Sequence, residues 1–373
     1  MKLKIEAGAL KKAVAIAEKA VAQKSTLSVL ECFVLDIQGK QLVLSSTNLS
    51  ERVEVRLDCE SDQDGLFAVN AQTLSGITKY CDAGEVLTLE KKDDTNVVLL
   101  KKQNGMKYKL PVLVADEAML PAKPKMENPV KFNLPYDKFK NLLETVLFAC
   151  SASDLDAERN GAAFTMNVTP EKIRTYGLDG YRIASYEEPV LVSLDNEFKI
   201  KLRKNFILDL LKIENKENKA VEITISKSDV IVNIRNVSIS GKILQGNIFD
   251  AEKIKIEGKN KFEVKTADML EALNSILPVC TKVARPLVVE VTEEGIHFSM
   301  QTEMGEADTL LEVKTLSPTT NIRMGMNIMY LLETVKNIQS ENFILKIDSE
   351  VSPIEIRVNE AEYYIVLPVR IKN

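Results

Sequence analysis

Residues 2–17, KLKIEAGALKKAVAIA, decide the fold because their pattern returns as KFNLPYDKFKNLLETV at 131–146 and KFEVKTADMLEALNSI at 261–276. Each copy opens with a short alternating stretch, typical of a strand. Apolar residues then recur at the i, i+4, i+7 spacing of one helix face. These helix-face residues are Leu10, Val14, Ala17, Phe139, Leu143, Val146, Met269, Leu273 and Ile276. A repeat of this period predicts three similar domains.

Each third of the chain contains a second, similar half. A strand followed by a helix is predicted again at 69–74, 202–207 and 325–330. Alternating stretches separated by polar or Gly-containing turns follow each helix, and such stretches predict strands. In the first third they lie at 28–37, 41–46, 52–57, 86–91, 96–101 and 106–110. The repeated unit is therefore a strand, a helix and three strands, present six times.

Domain boundaries are expected at two linkers, 121–124 and 252–260. The predicted domains are 1–125, 126–253 and 254–373. Helices on one face of an antiparallel sheet define an α+β class. Two such chains, closed head-to-tail, would form a ring lined by helices and free of exposed sheet edges.

Composition limits the classes of function. The chain has 373 residues, 45% of them hydrophobic, and a net charge of −5. No apolar run approaches the length of a membrane helix and no secretory signal is visible, so we expect a cytoplasmic protein. Because a simple electrostatic DNA binder is usually basic, any role on DNA must use local basic patches or topology.

The chain offers little material for catalysis. Its five cysteines form no CxxC pair, and its one histidine, His297, lies in a predicted strand beside a turn. No phosphate-binding loop, zinc-protease motif or hydrolase nucleophile motif is present. We therefore expect neither an enzyme nor a cofactor or metal site.

The segment Leu178-Asp179-Gly180-Tyr181-Arg182-Ile183 is the most informative motif. Taken alone, Asp-Gly indicates a turn between two strands. The segment also resembles the Thr-Asp-Gly-His-Arg-Leu signature of the bacterial DNA polymerase III beta subunit family, the sliding clamps. Further segments resemble that family in order along the chain: 26–30, 44–49, 159–164, 245–250 and 364–371.

The resemblance implies a homodimeric ring that encircles duplex DNA and confers processivity on the replicative polymerase. Implied partners are the DNA polymerase III alpha subunit, the clamp loader and other proteins with clamp-binding motifs. It also implies a pocket between domains two and three that binds short apolar peptides. Its residues here would be Leu178, Gly180, Tyr181, Arg182, Ile183, Phe249, Lys253, Ile254, Asn327, Tyr330, Val351, Pro353, Leu367, Pro368, Val369 and Arg370.

Two further surfaces are implied. The side facing DNA would carry Lys24, Lys79, Arg203, Lys204, Lys282 and Arg285. The dimer interface would join Tyr108 and Leu110 to Ile276 and Leu277. Lys107 and Lys109 would there face Glu303, Glu306 and Asp308, and opposite charges would orient the contact.

Several positions depart from the family pattern. Tyr181 replaces the usual His, Phe249 the usual Pro, and Lys253 the usual Arg. Arg159 replaces an apolar residue, and residues 372–373 extend past the usual end. The alternatives are a monomeric β-rich adaptor or carbohydrate-binding protein, which would ignore clamp-binding peptides, and a hydrolase, which would depend on a single carboxylate.

Overall fold

The structure, a computed structural model, describes residues 1–92, 95–113, 120–153, 155, 161–193, 197–254, 256–281, 286–317 and 320–371. It has the predicted α+β composition, with short helices among many antiparallel strands. The chain forms two compact units. Unit 1 comprises Met1–Asp137 and Leu208–Ile243, and unit 2 comprises Lys138–Ile207 and Leu244–Asn373.

Within the described residues, the strand, helix and three strands of the predicted repeat occur six times. The first two repeats are β1 (Lys2–Glu6), α1 (Ala7–Ala17), β2 (Cys32–Gln38), β3 (Gln41–Thr47), β4 (Glu51–Asp58), then β6 (Gly65–Asn70), α2 (Ala71–Lys79), β7 (Val86–Lys91), β8 (Val97–Lys101), β9 (Lys107–Leu113). The next two are β10 (Val130–Leu134), α3 (Tyr136–Leu147), β11 (Phe164–Val168), β12 (Lys172–Leu178), β13 (Arg182–Pro189), then β14 (Phe198–Leu202), α4 (Lys204–Leu211), β15 (Val221–Ile225), β16 (Asp229–Ile234), β17 (Val237–Lys242). The last two are β18 (Asn260–Lys265), α5 (Thr266–Ile276), β19 (Pro286–Val291), β20 (Ile296–Thr302), β21 (Gly305–Leu311), then β23 (Ile322–Asn327), α6 (Ile328–Lys336), β24 (Asn342–Ile347), β25 (Ile354–Arg357), β26 (Glu362–Val366). Two short strands, β5 (Glu60–Ser61) and β22 (Lys314–Thr315), are added.

One predicted strand begins late. Residues 28–37 alternate as a strand would, but Ser28–Glu31 forms a 3-10 turn before β2. Local side chains satisfy this turn: the Glu31 carboxylate accepts from the Ser25 amide at 2.8 Å, and the Cys32 thiol donates to the Ser28 carbonyl. Such local hydrogen bonds compete with ladder formation.

Unit 1 contains one thirteen-stranded sheet in the described part of the chain, in the order β10-β15-β16-β17-β4-β3-β2-β6-β9-β8-β7-β1-β5. Within it, β17 and β4 form an antiparallel pair, with Val237 opposite Val55. Strands from the predicted first and second domains therefore share one sheet.

Unit 2 contains a nine-stranded sheet, β14-β11-β12-β13-β26-β25-β24-β18-β22, and a four-stranded sheet, β21-β20-β19-β23, among its described residues. Here β13 pairs with β26, and Arg182 lies opposite Val366. This pair joins strands from the predicted second and third domains.

The helices pack as their spacing predicts. All nine helix-face residues are at most 2% exposed. In the second third, Thr175 on β12 donates its hydroxyl to the Leu142 carbonyl of α3 at 2.7 Å. Gly177 permits this close approach, because a Cβ there would lie 1.9 Å from the Val146 carbonyl oxygen. Among the described helices, none has the length and apolar character to cross a membrane.

Candidate functional site

The Asp179-Gly180 turn joins β12 to β13 and presents the residue that follows it. Gly180 has φ +89°, a conformation that favours glycine. The Asp179 carboxylate accepts from the backbone amides of Tyr181 and Arg182 at 2.9 and 3.0 Å. This Asx-type pattern fixes the turn and leaves Tyr181 exposed.

Arg182 is the central buried charge of the site. Its Nε donates to Asp179 Oδ2 at 2.9 Å, and its Nη1 forms an ion pair with Glu333 Oε2 at 2.6 Å, without aligned hydrogen-bond geometry. The guanidinium carbon lies 5.2 Å from the Phe148 ring centre and 4.8 Å from that of Tyr330. Planar stacking and two carboxylates offset the desolvation of the cation. Arg182 thus ties the start of β13 to α6 and to the residue after α3.

Tyr181 and Tyr330 form an aromatic stack beside this arginine. Their ring centres are 5.5 Å apart with 25° between planes. Tyr181 remains 56% exposed, so it offers aromatic surface to a ligand. Its carbonyl accepts from the Leu367 amide at 2.9 Å, which fastens the C-terminal segment to the Asp179-Gly180 turn.

A cavity of about 650 Å³ lies along that C-terminal segment. Gly325 shapes its wall: the Val369 amide donates to the Gly325 carbonyl at 2.8 Å, and a Cβ on Gly325 would lie 2.4 Å from the Val369 oxygen. The lining residues are Arg323, Met324, Gly325, Glu350, Val351, Pro368, Val369, Arg370 and Ile371. Val351 is 84% exposed, which is unusual for a large apolar side chain.

An apolar cluster forms where Ala251, Ile254 and Ile256 cover the nine-stranded sheet. Its buried members are Tyr176, Ile183, Ala251, Tyr363 and Ile365, with Leu178, Ile254 and Ile256 packed against them. The Tyr176 hydroxyl donates to Glu252 Oε1 at 3.0 Å. Burial raises the pKa of Tyr176, so this phenol stays protonated and remains a donor.

The structure places most of the expected pocket residues in these three groups. Tyr181, Arg182, Tyr330 and Leu367 form the aromatic group. The cavity along the C-terminal segment is lined by Val351, Pro368, Val369 and Arg370. The apolar cluster contains Leu178, Ile183 and Ile254. Their role in binding peptide stays a prediction.

The other expected pocket residues have different surroundings. Asn327 caps α6 by accepting from the Met329 amide at 3.0 Å. Lys253 pairs with Asp250 at 3.5 Å and is exposed, as are Gly180 and Phe249, while Pro353 is half-buried. Their role in peptide binding also stays a prediction.

Sequence reasoning missed the residues that support the site. Asp179 holds the turn and the arginine, and its place in the Asp-Gly turn is a signal that could have found it. Phe148, Glu333 and Glu350 have no such signal, because only the folded chain brings these distant residues to the site.

The residues expected to face DNA differ in exposure. Lys24 and Lys79 are exposed, whereas Arg203 and Lys204 are half-buried. Lys204 donates its ammonium to the Cys150 carbonyl at 2.8 Å, which ties it to the segment after α3. Lys282 and Arg285 lie outside the described residues.

Two residues expected at the dimer interface are already buried within the single chain, and their place at that interface stays a prediction. Leu110 is 4% exposed and Ile276 is fully buried, because each points into its own unit. Tyr108 and Leu277 are half-exposed. Lys107 and Lys109 on β9 are exposed, as are Glu303, Glu306 and Asp308 on and before β21.

Comparison with protein families decides the identity. Residues 1–120 match the N-terminal domain of the DNA polymerase III beta subunit, and residues 133–250 match its central domain. The chain belongs to the DNA polymerase III beta subunit family. Both ranges fall inside the first two predicted domains, although the three-domain division itself stays a prediction.

Relatives of this clamp-family chain match it over most or all of its length. The beta sliding clamp of Escherichia coli K12 is 22% identical over 353 residues, which are 93% of this chain and 94% of that protein. The Pseudomonas aeruginosa beta sliding clamp is 22% identical over all of both chains.

Solved clamp structures show the same fold. The DNA polymerase III subunit beta of Pseudomonas aeruginosa superposes with a TM-score of 0.90 at 20% identity, and the sliding clamp of Bacillus subtilis with 0.90 at 19% identity. Each covers 100% of both chains. The predictions of the clamp fold, of a sliding clamp and of a non-catalytic subunit are confirmed.

Proposed function

We propose that two copies of this chain close head-to-tail into a ring around duplex DNA in the cytoplasm. The ring holds the DNA polymerase III alpha subunit and other partners through their short apolar peptides, and a clamp loader opens it. Each copy contributes three similar domains, 1–125, 126–253 and 254–373.

Strand pairing carries the ring proposal. The last strands of the six repeats are β4, β9, β13, β17, β21 and β26, and four of them pair within the chain, as β17 with β4 and β13 with β26. Two last strands, β9 and β21, remain without such a partner among the described residues. A third pairing of the same class, made between copies, closes a head-to-tail ring.

Both remaining strands have a free backbone edge in the described structure. β21 is the outer strand of its sheet. On β9, residues 107–111 pair with β8 on one side, and on the other side the described pairing with β6 is limited to Val112 and Leu113. Free edges of this kind invite another strand.

Charge favours pairing of these two edges with each other. Lys107 and Lys109 alternate on the exposed side of β9, and Glu306 and Asp308 alternate on β21. Opposite charges on the two strands orient the approach and discourage pairing of β9 with β9.

On DNA, the ring acts through topology. With a net charge of −5, the chain lacks the basic excess that drives simple DNA binding. Lys24, Lys79, Arg203 and Lys204 supply contacts to phosphates that read no base sequence. Weak contacts of this kind allow sliding.

The surface chemistry around Tyr181 and Val351 supports a peptide site. The Tyr181–Tyr330 stack and the cavity beside Val351 combine exposed apolar surface with charged groups at the rim. Such surfaces suit peptides that insert one or two large apolar side chains.

The ring is tested by measuring how much protein stays bound to circular DNA and to the same DNA after it is cut into a linear form. The chain is loaded onto nicked circular DNA with a clamp loader, free protein is removed, and half of the circles are cut once. We expect protein to stay on intact circles and leave cut ones, with a solution mass of twice the 41.7 kDa chain. Equal retention on both shapes contradicts topological binding, and a monomer that never loads favours an adaptor.

A further inference from the structure

Lys201 is a fully buried lysine outside the groups expected to bind peptide or DNA. It lies on β14, the outer strand of the nine-stranded sheet, and is 0% exposed. Lys199, two residues earlier on the same face, is exposed. A buried ammonium carries a large desolvation penalty that polar partners must offset.

The segment that covers Lys201 is the loop after β17, and Lys201 contacts it twice. The Leu244 amide donates to the Lys201 carbonyl at 2.9 Å. The Lys201 ammonium donates to the Asn247 carbonyl at 3.1 Å. Main chain and side chain of one residue thus hold the loop at both of these points.

Gly161 brings the same loop close from its other side. It has φ +73°, and a Cβ there would lie 3.2 Å from both the Asn247 oxygen and the Phe249 nitrogen. The Asn247 carbonyl of this loop therefore lies between the Gly161 main chain and the Lys201 ammonium. Asn247 is two residues before Phe249.

Downstream, the chain is held again within three residues of Phe249. Ala251 is buried in the apolar cluster, and Glu252 accepts from the Tyr176 hydroxyl. Phe249, 44% exposed, is therefore suspended between a downstream anchor on the sheet and an upstream anchor at Asn247. The upstream anchor includes the buried charge.

We propose that Lys201 is a positioning residue of the peptide site: its buried ammonium holds the main chain at Asn247 and so fixes where Phe249 stands. This inference rests on the proposed peptide-binding function. The Phe249 ring is then already fixed in position before a peptide binds, which lowers the conformational-entropy cost of binding.

A matched pair of variants tests the proposal. Lys201→Met keeps the side-chain length and removes the charge, and Lys199→Met makes the same change on the exposed position of the same strand face. The probe is a synthetic peptide with adjacent Leu and Phe anchors, titrated calorimetrically. We expect Lys201→Met to bind it about tenfold more weakly, equivalent to about 1.4 kcal/mol, and Lys199→Met to match the unmodified chain.

A second readout reports on the loop itself. The chain contains no tryptophan, so Phe249→Trp introduces a single tryptophan, which can be excited selectively over the nine tyrosines. In that background, Lys201→Met should lower the fluorescence anisotropy and increase quenching by acrylamide, with no change for Lys199→Met. If Lys201→Met fails to fold, Gly161→Ala displaces the loop from the opposite side with Lys201 intact, and should give the same two effects.

The outcomes separate the two proposals. Unchanged affinity and anisotropy in a folded Lys201→Met or Gly161→Ala protein overturn the role of Lys201. If the unmodified chain binds no such peptide, the peptide site is wrong and Lys201 positions nothing for binding, while the anisotropy still reports whether it holds the loop.

Discussion

At the scale of single residues, Arg182 shows how one buried charge organises a site. Its side chain is 8% exposed and has a carboxylate on two sides and an aromatic ring on two others. A lysine could supply the charge but neither the planar stacking nor the fork of donors. The site therefore depends on the shape of the guanidinium as well as its charge.

Replacing Arg182 should affect stability and peptide binding together. Arg182→Ala removes one of the three hydrogen bonds that the Asp179 carboxylate accepts, together with the ion pair to Glu333. It should lower the free energy of unfolding of unit 2 by about 3 kcal/mol. Arg182→Lys should retain part of that stability and bind peptide more weakly, because Tyr330 loses the planar guanidinium that lies over its ring. Urea denaturation and calorimetry measure the two effects.

Arg323→Ala is the control for stability. Arg323 pairs with Glu290 at 2.7 Å, but its side chain is 56% exposed. An exposed pair contributes at most about 1 kcal/mol. If Arg182→Ala and Arg323→Ala lower the free energy of unfolding equally, the burial of Arg182 does not add to its contribution to stability.

Single residues also differ in how far the sequence predicts their place. The Asp-Gly turn and the family resemblance are enough to locate Tyr181 and Arg182. Their partners Phe148 and Glu333 could not be inferred, since contacts between residues this far apart depend on sheet register. Leu110 and Ile276 are buried within the single chain. An apolar residue in the sequence does not reveal whether it faces only its own core or also a partner, so their place at a dimer interface stays a prediction.

At the scale of elements, periodicity was the reliable signal. The spacing of Leu10, Val14 and Ala17, with its two repeats, predicted which helix faces are buried. Strand partners could not be predicted, because alternation reports which face of a strand is buried and not which strand lies beside it.

Close approach of α3 to β12 makes Gly177 a sensitive position. In Gly177→Ala, the new methyl group would meet the Val146 carbonyl, which is main chain and cannot rotate away. We expect a loss of about 3 kcal/mol in unfolding free energy, the upper range for overpacking, measured by urea denaturation.

Gly76 supplies the matched control within α2. A Cβ at Gly76 has nothing within 4 Å. Because alanine favours a helix interior over glycine, Gly76→Ala should stabilise the chain by about 0.5–1 kcal/mol. If both substitutions have the same sign, the contact between helix and strand is not what makes Gly177 necessary.

At the scale of the whole molecule, the proposed ring makes a charge prediction. Lys107→Glu with Lys109→Glu places like charges opposite Glu306 and Asp308 and should weaken dimerisation at least about tenfold. Sedimentation equilibrium measures the dissociation constant, and the defect should shrink at high salt.

Charge exchange is the control for that interface. Adding Glu306→Lys and Asp308→Lys to the double variant restores opposite charges and should restore the dimer. A dimer unaffected by the first pair of substitutions, or not rescued by the second pair, would place the contact elsewhere.

The units of the whole molecule were the least predictable feature. The repeat predicted three domains, whereas the compact units divide the predicted second domain, with 126–137 and 208–243 in unit 1 and 138–207 in unit 2. Pairing of β17 with β4 and of β13 with β26 causes this difference, and no local sequence signal encodes it.

The continuous sheet of unit 1 has a practical consequence for anyone who dissects this chain. A fragment cut at the repeat boundary, 1–125, would expose the edge of β4 at residues 51–55, because its partner β17 would be missing. Two fragments could then associate by pairing their exposed β4 edges. Such aggregation would not reflect a property of the intact protein. A useful truncation keeps paired strands together. A fragment that retains both β17 and β4 does not expose the β4 edge.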